Sequence, residues 1–169
     1  METDTVLDRS ALVKRWHELG ADPGSPDYYE LNEYGELILS PRPTNDHQGV
    51  AMAVAVALNA QLGPESRIDI SVMTDRGVRV PDVVWMRPER WAAMKRETPL
   101  STAPDVCVEV LSTGNTRQEI RMKTGAYLRA GAREVIVVGL KGEVECYAPE
   151  GPRASSALGI ALELPSALF

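Results

Sequence analysis

An acidic residue lies in the middle of the most apolar stretch of the chain. Residues 106–111, VCVEVL, have the length and the β-branched composition of a buried strand, and Glu109 is the only charged residue among them. Burying an unpaired ionised carboxylate costs several kcal/mol, on the order of 3–5 kcal/mol. A fold that buries this strand must therefore supply Glu109 with a compensating cation.

The length and composition predict a single domain over residues 1–169. Hydrophobic residues make up 44% of the chain, but no stretch approaches the ~18–20 apolar residues that cross a bilayer. The first residues, METDTVLDRS, are acidic and lack the basic start and apolar core of a signal peptide. We therefore expect a cytoplasmic protein that has no membrane partner.

The net charge of −6 is unevenly distributed along the chain. Residues 1–40 contain nine acidic and three basic residues, whereas residues 41–169 contain fifteen of each. Between Arg76 and Arg133 there are eleven basic residues and six acidic ones. The overall charge disfavours a polyanionic partner, but this basic stretch could form a face that binds nucleic acid, or an ordinary solvated surface.

Hydrophobic periodicity and turn residues divide the chain into helices and strands. Helices are predicted over 10–19, 47–62 (capped by a residue at 44–46), 88–95 and 115–130, and the second of these is apolar nearly all round, which predicts packing on both sides. Strands are predicted within 28–41 and over 67–72, 78–86, 105–111, 134–140 and 143–148. This order indicates an α+β (mixed α/β) fold in which helices flank a central mixed sheet. Residues 1–27 would form an N-terminal helix and loop, 28–151 the core, and 152–169 a loose tail.

Two neighbouring strands each carry an acid in apolar surroundings. The stretch VPDVVWM places Asp82 directly after Pro81, and Glu109 lies inside the next strand. Two carboxylates that approach each other repel unless a cation lies between them, which is how a site for a hard divalent metal is built. Proline-aspartate pairs are also common in turns, so Asp82 alone could be structural.

The helix after Glu109 contributes a lysine. Lys123 falls inside the apolar stripe that faces the sheet, so its ammonium should lie near the strand that carries Glu109. Two simpler interpretations exist: Glu109 and Lys123 could form a structural ion pair, or Lys123 could pair with Glu119 on the helix surface. The co-occurrence of two acids and a lysine in this order favours a functional site.

This order resembles the PD-(D/E)xK nuclease superfamily and, more closely, the Uma-type restriction endonuclease family of bacteria. The resemblance covers most of residues 28–151. It is carried by YYELNEYGELILSP, DHQGV, VPDVVW, PDVCVEVLS, EIRMKTGAYLRAGAREVIVV and VECYAPEG.

The resemblance implies a restriction-endonuclease-like core and a metal-dependent endonuclease. Asp82 and Glu109 would bind Mg²⁺ or Mn²⁺, and Lys123 would assist the attacking water. The superfamily places its lysine two residues after the second acid, where this chain has Leu111, and the Uma-type variant moves it to the following helix, which matches Lys123. The chain departs from the family in STGN after Glu109, where SPST is usual, and in Gly139, where an aspartate is common.

Further roles follow from the same resemblance. Glu30 resembles an N-terminal acid that adds to the metal site, Glu119 stands where the family often has aspartate, and His47 matches a histidine near the substrate phosphate. Arg117 and Arg121 would contact the phosphate backbone, which positions a nucleic acid without reading its bases. The implied partners are nucleic acid, with DNA favoured, and a second copy of the chain.

Two other functions fit the same residues. The fold could be a catalytically inactive binding or regulatory module in which the acids and the lysine form a structural ion pair. Alternatively, Asp82 and Glu109 could serve as acid and base in a metal-free hydrolase of the glycosidase type. The sheet-facing lysine and the aromatic content of 5% disfavour that hydrolase, because sugar sites usually provide aromatic stacking platforms.

Overall fold

The fold is mixed α and β, as the sequence predicts, and the computed structural model describes it over residues 5–169. Residues 1–4, which begin the predicted segment 1–27, lie outside the described residues. The helices of residues 5–169 are α1 (Arg9–Ala21), α2 (Asn45–Leu62), α3 (Pro88–Met94), α4 (Arg117–Arg129) and a 3-10 helix (Ser166–Leu168). The strands are β1 (Tyr29–Leu31), β2 (Leu37–Leu39), β3 (Ser66–Arg67), β4 (Val72–Thr74), β5 (Gly77–Arg79), β6 (Val83–Trp85), β7 (Val106–Val110), β8 (Glu134–Val138), β9 (Val144–Ala148) and β10 (Gly151–Arg153).

The strands of the described chain form two sheets. The larger one has six strands in the order β10-β9-β8-β7-β6-β3. Its central pair, β7 and β8, is parallel, and the other pairs are antiparallel, so this is the predicted central mixed sheet. The smaller sheet is antiparallel, in the order β2-β1-β5-β4. A parallel pair needs a crossover connection, and α4 supplies it between β7 and β8.

Helices cover both faces of the larger sheet. On one face α2 packs Val54 and Leu58 against Val106 and Val108 of β7. On the other face Tyr127 of α4 packs among residues that include Cys107 and Val135. Alternate residues of β7 therefore face α2 and α4 in turn, which assigns Glu109 to the α4 side with Cys107.

Short polar residues set where the two long helices begin. The hydroxyl of Thr44 accepts a hydrogen bond from the amide of His47 (3.2 Å), and the hydroxyl of Thr116 accepts one from the amide of Glu119 (3.1 Å). Each bond satisfies one amide that the first helical turn leaves without a partner. The caps fix the starts of α2 and α4, and with them the positions of His47 and Lys123.

The predicted strand over 78–86 is wrong, because it consists of two strands in different sheets. β5 ends at Arg79 in the smaller sheet, and β6 starts at Val83 in the larger one. Pro81 lies between them and has no amide hydrogen for a sheet hydrogen bond. The predicted strand over 67–72 is interrupted as well, at Asp69, whose φ of 55° is left-handed.

Two other expectations also need correction. The solvent side of α2 is not covered, because Met52 and Val56 are 60% and 59% exposed. The segment 152–169 is not loose, since Ile160 is buried against the α2 face of the larger sheet and Leu164 packs beside it. The tail therefore belongs to the hydrophobic core. No helix within residues 5–169 combines the length and the apolar character needed to cross a membrane.

Candidate active site

Lys123 lies between two buried carboxylates. Its Nζ is 2.9 Å from Oε1 of Glu109 and 3.0 Å from Oε1 of Glu30, and all three side chains are less than one-tenth exposed. Burial alone lowers the pKa of Lys123, but the charges of Glu109 and Glu30 outweigh burial and raise the pKa above its ordinary value. Lys123 is therefore held as an ammonium ion. It does not pair with Glu119, so the predicted alternative of a surface pair is wrong.

Glu109 is held through one of its two oxygens. Its Oε1 faces Lys123 and also accepts a 2.7 Å hydrogen bond from the hydroxyl of Tyr127, whereas Oε2 accepts none from residues 5–169. Burial raises the pKa of Glu109 to about 7; Lys123 opposes the increase, and the charges of Asp82 and Glu30 add to it. The geometry fixes the carboxylate and leaves Oε2 without a protein donor.

Glu30 has both oxygens engaged. Its Oε1 accepts a hydrogen bond from the amide of Val80 (2.7 Å) in addition to the contact with Lys123, and Oε2 accepts one from Nη1 of Arg79 (3.2 Å). Arg79 is itself buried, and its Nε donates to the carbonyl of Arg76. Glu30 is therefore a fixed anchor that links the smaller sheet to Lys123.

Asp82 lies where the chain passes from the smaller sheet to the larger one. Its amide donates to the carbonyl of Val108 (3.0 Å), and its Oδ2 accepts a 2.7 Å hydrogen bond from the amide of Val110. Its Oδ1 accepts no hydrogen bond from the described residues, and a quarter of the side chain is exposed. Like Glu109, Asp82 is anchored through one oxygen and has the other without a protein donor.

His47 supports Asp82 from the first turn of α2. Its Nε2 donates to the carbonyl of Val110 (3.0 Å) and lies 3.4 Å from Oδ2 of Asp82, while Nδ1 is buried with no hydrogen-bond partner in the described chain. The hydrogen bond to Asp82 raises the pKa of His47, and burial opposes this. His47 therefore contacts the acid and the strand that carries Glu109.

One cavity of about 910 Å³ brings the predicted residues together. Asp82, Glu109 and Lys123 line it, which is the convergence that the sequence pattern predicts. The remaining predicted residues in its wall are Glu30, His47 and Glu119. Glu119 stands at the first turn of α4 and accepts a hydrogen bond from the side-chain amide of Asn115 (3.4 Å).

The two arginines that were predicted to contact the phosphate backbone of a nucleic acid lie outside the cavity. Arg117 and Arg121 are exposed residues of α4 and are not part of the cavity wall. The sequence reasoning also missed two residues of the site, Tyr127 and Arg79. Tyr127 stands four residues after Lys123, the spacing that puts both on one helix face, and that spacing could have identified it.

Two oxygen atoms of the site have the chemistry that a hard divalent cation requires of its ligands. The oxygens without protein donors, Oδ1 of Asp82 and Oε2 of Glu109, are carboxylate oxygens on the same cavity. Mg²⁺ is usually held by one or two carboxylates, with water and substrate phosphates completing its shell. Within residues 5–169, no three His, Cys, Asp or Glu side chains are grouped so that they could hold a metal ion.

Comparison with known proteins gives a family and a fold. The model of the Uma2 family, described as "Putative restriction endonuclease", matches residues 16–167. A solved structure described as "a putative nuclease belonging to DUF820", from Anabaena variabilis, has 19% sequence identity and a TM-score of 0.64. That alignment covers 80% of this chain and 79% of the other. No curated protein matches the chain.

Proposed function

From the chain's membership of the Uma2 restriction endonuclease family, together with the cavity chemistry, we propose that it is a metal-dependent nuclease. Asp82 and Glu109 bind Mg²⁺ or Mn²⁺, and Lys123 acts on the water that attacks a phosphodiester bond. DNA as the substrate, a homodimer and a cytoplasmic location remain predictions.

The observation that carries this proposal is the one-sided anchoring of the two acids. Each carboxylate uses one oxygen for structural hydrogen bonds, Asp82 to the amide of Val110 and Glu109 to Tyr127 and Lys123. Each leaves its other oxygen, beside the cavity, without a donor from residues 5–169. A purely structural ion pair has no need of two additional acceptors, whereas a cation site does.

A bound Mg²⁺ or Mn²⁺ would supply Lewis-acid chemistry, since it polarises a phosphate oxygen and lowers the pKa of a bound water. Lys123 would act as a hydrogen-bond donor. Its ammonium has three N–H groups and meets two carboxylates, which leaves one donor for a water or a phosphate oxygen. Because Glu109 and Glu30 raise its pKa, Lys123 orients the water and stabilises the charge that develops on phosphorus.

Glu30, His47 and Tyr127 are best supported as positioning residues. Glu30 accepts hydrogen bonds through both oxygens and so fixes Lys123, and its predicted role as a third metal ligand remains a prediction. His47 steadies Asp82, and Tyr127 selects which oxygen of Glu109 stays available.

Cleavage assays test the proposal. Wild type should cleave a nucleic-acid substrate in Mg²⁺ or Mn²⁺ and lose that activity in EDTA. Glu109→Gln and Lys123→Ala should each reduce the rate by at least about 100-fold, while Glu145→Gln, an exposed acid of β9, leaves it unchanged. Folded Glu109→Gln and Lys123→Ala variants that cleave at the wild-type rate would contradict the proposed site.

A second candidate is a nuclease fold that binds without cleaving, and one observation favours it. The contacts of Lys123 with Glu30 and Glu109, together with the contact between Arg79 and Glu30, form a buried ion cluster. Replacing such a cluster with apolar residues of similar volume is often neutral or stabilising. If a double variant (Glu109→Leu, Lys123→Met), which keeps the pair between Glu30 and Arg79, retains nucleic-acid affinity and stability, and wild type cleaves nothing, the binding module is the better account.

A further inference from the structure

The cavity also has an aromatic side, formed by one residue of α1 and by residues 28–29. Trp16, Tyr28 and Tyr29, here called the aromatic wall, line it and are half-buried. The rings of Trp16 and Tyr29 contact each other, with their centroids 5.0 Å apart and their planes tilted by 47°. Both residues also pack against the small hydrophobic cluster of α1 and the smaller sheet, which fixes the rings in place. The wall is therefore an aromatic surface that could receive a flat ligand.

The charge of the cavity limits what phosphate contacts can contribute. Two cationic side chains line it, Arg42 and Lys123, and Lys123 already faces two carboxylates. The acidic residues in its lining are Asp27, Glu30, Asp69, Asp82, Glu109 and Glu119. Proteins that bind duplex DNA through its backbone neutralise several phosphates with Lys and Arg. The side chains that line this cavity do not provide that many cations, so contacts other than side-chain ion pairs must add to the affinity.

Base stacking supplies the missing affinity only if the base is unpaired. In a duplex each base is stacked between its neighbours, whereas the bases of a single strand or a flipped-out nucleotide have open faces. Stacking of one base on an aromatic side chain contributes about 1–3 kcal/mol. A volume of about 910 Å³ is at the upper end of the ~300–1,000 Å³ range of pockets that enclose drug-sized molecules. That volume suits one or a few nucleotides.

We infer, on the basis of the proposed nuclease function, that the substrate enters the cavity as an unpaired nucleotide. Its base stacks on the aromatic wall, and its phosphate reaches Lys123 and the divalent cation that the open oxygens of Asp82 and Glu109 would hold. The substrate class is single-stranded nucleic acid, or a duplex that carries an unpaired or flipped-out base at the point of cleavage.

Tryptophan fluorescence tests this inference through binding alone. Trp16 lines the cavity, whereas Trp85 and Trp91 are 7% and 4% exposed and lie in the core. Titration of Glu109→Gln, which should not cleave, with a single-stranded oligonucleotide in Mg²⁺ should quench the emission. A duplex of the same length should bind at least about fivefold more weakly, and so should an abasic strand that has the same phosphates and no bases.

Variants identify the ring that is responsible. In the Glu109→Gln background, Trp16→Leu should weaken single-strand binding at least about fivefold, while Tyr34→Ala, which changes an aromatic residue outside the cavity wall, leaves the affinity unchanged. If Trp16→Leu fails to fold, the abasic strand still tests base stacking, because that experiment uses a protein in which Trp16 is intact. Raising the salt from about 50 to about 200 mM should weaken binding less than about tenfold, since the described cavity wall offers phosphates two cationic side chains, Arg42 and Lys123.

The inference is overturned if the duplex or the abasic strand binds as tightly as the normal single strand, or if folded Trp16→Leu keeps full affinity. DNA and RNA single strands titrated in parallel identify the sugar, and tight stacking-dependent binding of either one supports the inference. Stacking-dependent binding without cleavage in any divalent metal would contradict the proposed nuclease and leave the inference standing. Equal cleavage of single and double strands would support the proposed nuclease and contradict the inference.

Discussion

Lys123 and Glu109 form a buried ion pair whose Nζ and Oε1 atoms are 2.9 Å apart. The pair accounts for the carboxylate inside the apolar strand β7, since the cation that Glu109 requires comes from α4, the helix that follows. Because Lys123 also meets Glu30, a single ammonium compensates two carboxylates from two different sheets. The site and the packing of the fold therefore depend on the same three side chains.

Removing the ammonium should destabilise the fold. Lys123→Met leaves Glu109 buried without its cation and leaves Glu30 with Arg79 alone, and breaking a buried ion pair from one side costs about 3–5 kcal/mol. Urea unfolding should show this loss. Lys14→Met, which removes an exposed lysine 3.9 Å from Glu18, should change the free energy of unfolding much less. Equal effects of the two substitutions would contradict the assigned burial of Lys123.

Removing the hydroxyl of Tyr127 should affect both stability and the site. Its hydrogen bond to Glu109 is buried, and hydrogen bonds to charged groups contribute about 1.5–3 kcal/mol. Tyr127→Phe should lower the free energy of unfolding by that amount and weaken Mg²⁺ binding, because Glu109 loses the contact that orients it. Tyr147→Phe removes an exposed hydroxyl 2.5 Å from Glu145 and serves as the matched control. A Tyr127→Phe variant as stable as this control would argue against the hydrogen bond.

The contact between Lys123 and Glu109 could be predicted from the sequence because each charge interrupts an apolar pattern of known period. The strand pattern marks Glu109 as buried, and the helical stripe turns Lys123 toward the sheet. Tyr127 gives a weaker signal, which is its spacing of four residues from Lys123. It continues the apolar stripe of α4, and its role depends on how far α4 is shifted along β7, which no local pattern determines.

Long-range partners explain the remaining differences. Arg79 pairs with Glu30, which lies 49 residues away in the sequence. The prediction of one continuous strand over 78–86 did not include the smaller sheet in which this pair forms. Proline at position 81 signals a break, but the existence of a second sheet depends on pairing between β1 and β5. The packing of 152–169 was missed for a similar reason, since its scattered leucines have no strong period.

Glu109 should make the metal-free protein less stable as the pH rises. Burial raises its pKa from 4.5 to about 7, so between these values the folded protein binds more protons at this site than the unfolded chain does. Stability contributed by protonated Glu109 is therefore present below pH 4.5 and is lost as the pH rises toward and through 7.

Subtracting Glu109→Gln isolates this effect, because the other titrating groups are common to both proteins. The wild-type stability minus that of Glu109→Gln, measured by urea unfolding between pH 4.5 and 8, should fall by up to roughly 3 kcal/mol. A difference that stays constant or rises with pH would show that Glu109 is not buried as described.

Glu134 should hold the C-terminal segment on the core. It is fully buried, and its two oxygens accept hydrogen bonds from the hydroxyl of Ser156 (2.7 Å) and the amide of Ala157 (2.8 Å). Glu134→Ala should cost at least about 1.5 kcal/mol of stability and speed hydrogen exchange in residues 154–169. Glu150→Ala, which removes an exposed pair with Arg153, should leave exchange there unchanged. Unaltered exchange in Glu134→Ala would contradict the anchoring role.

The account rests on the claim that the open oxygens of Asp82 and Glu109 share one divalent cation, and titration calorimetry with Mg²⁺ and Mn²⁺ tests it most directly. Wild type should bind with measurable heat, Asp82→Asn and Glu109→Gln should each lose it, and Asp27→Asn, an acid of the same cavity outside the pair, should retain it. Binding heat that persists unchanged in folded Asp82→Asn and Glu109→Gln would contradict the account, because the cation would then lie elsewhere.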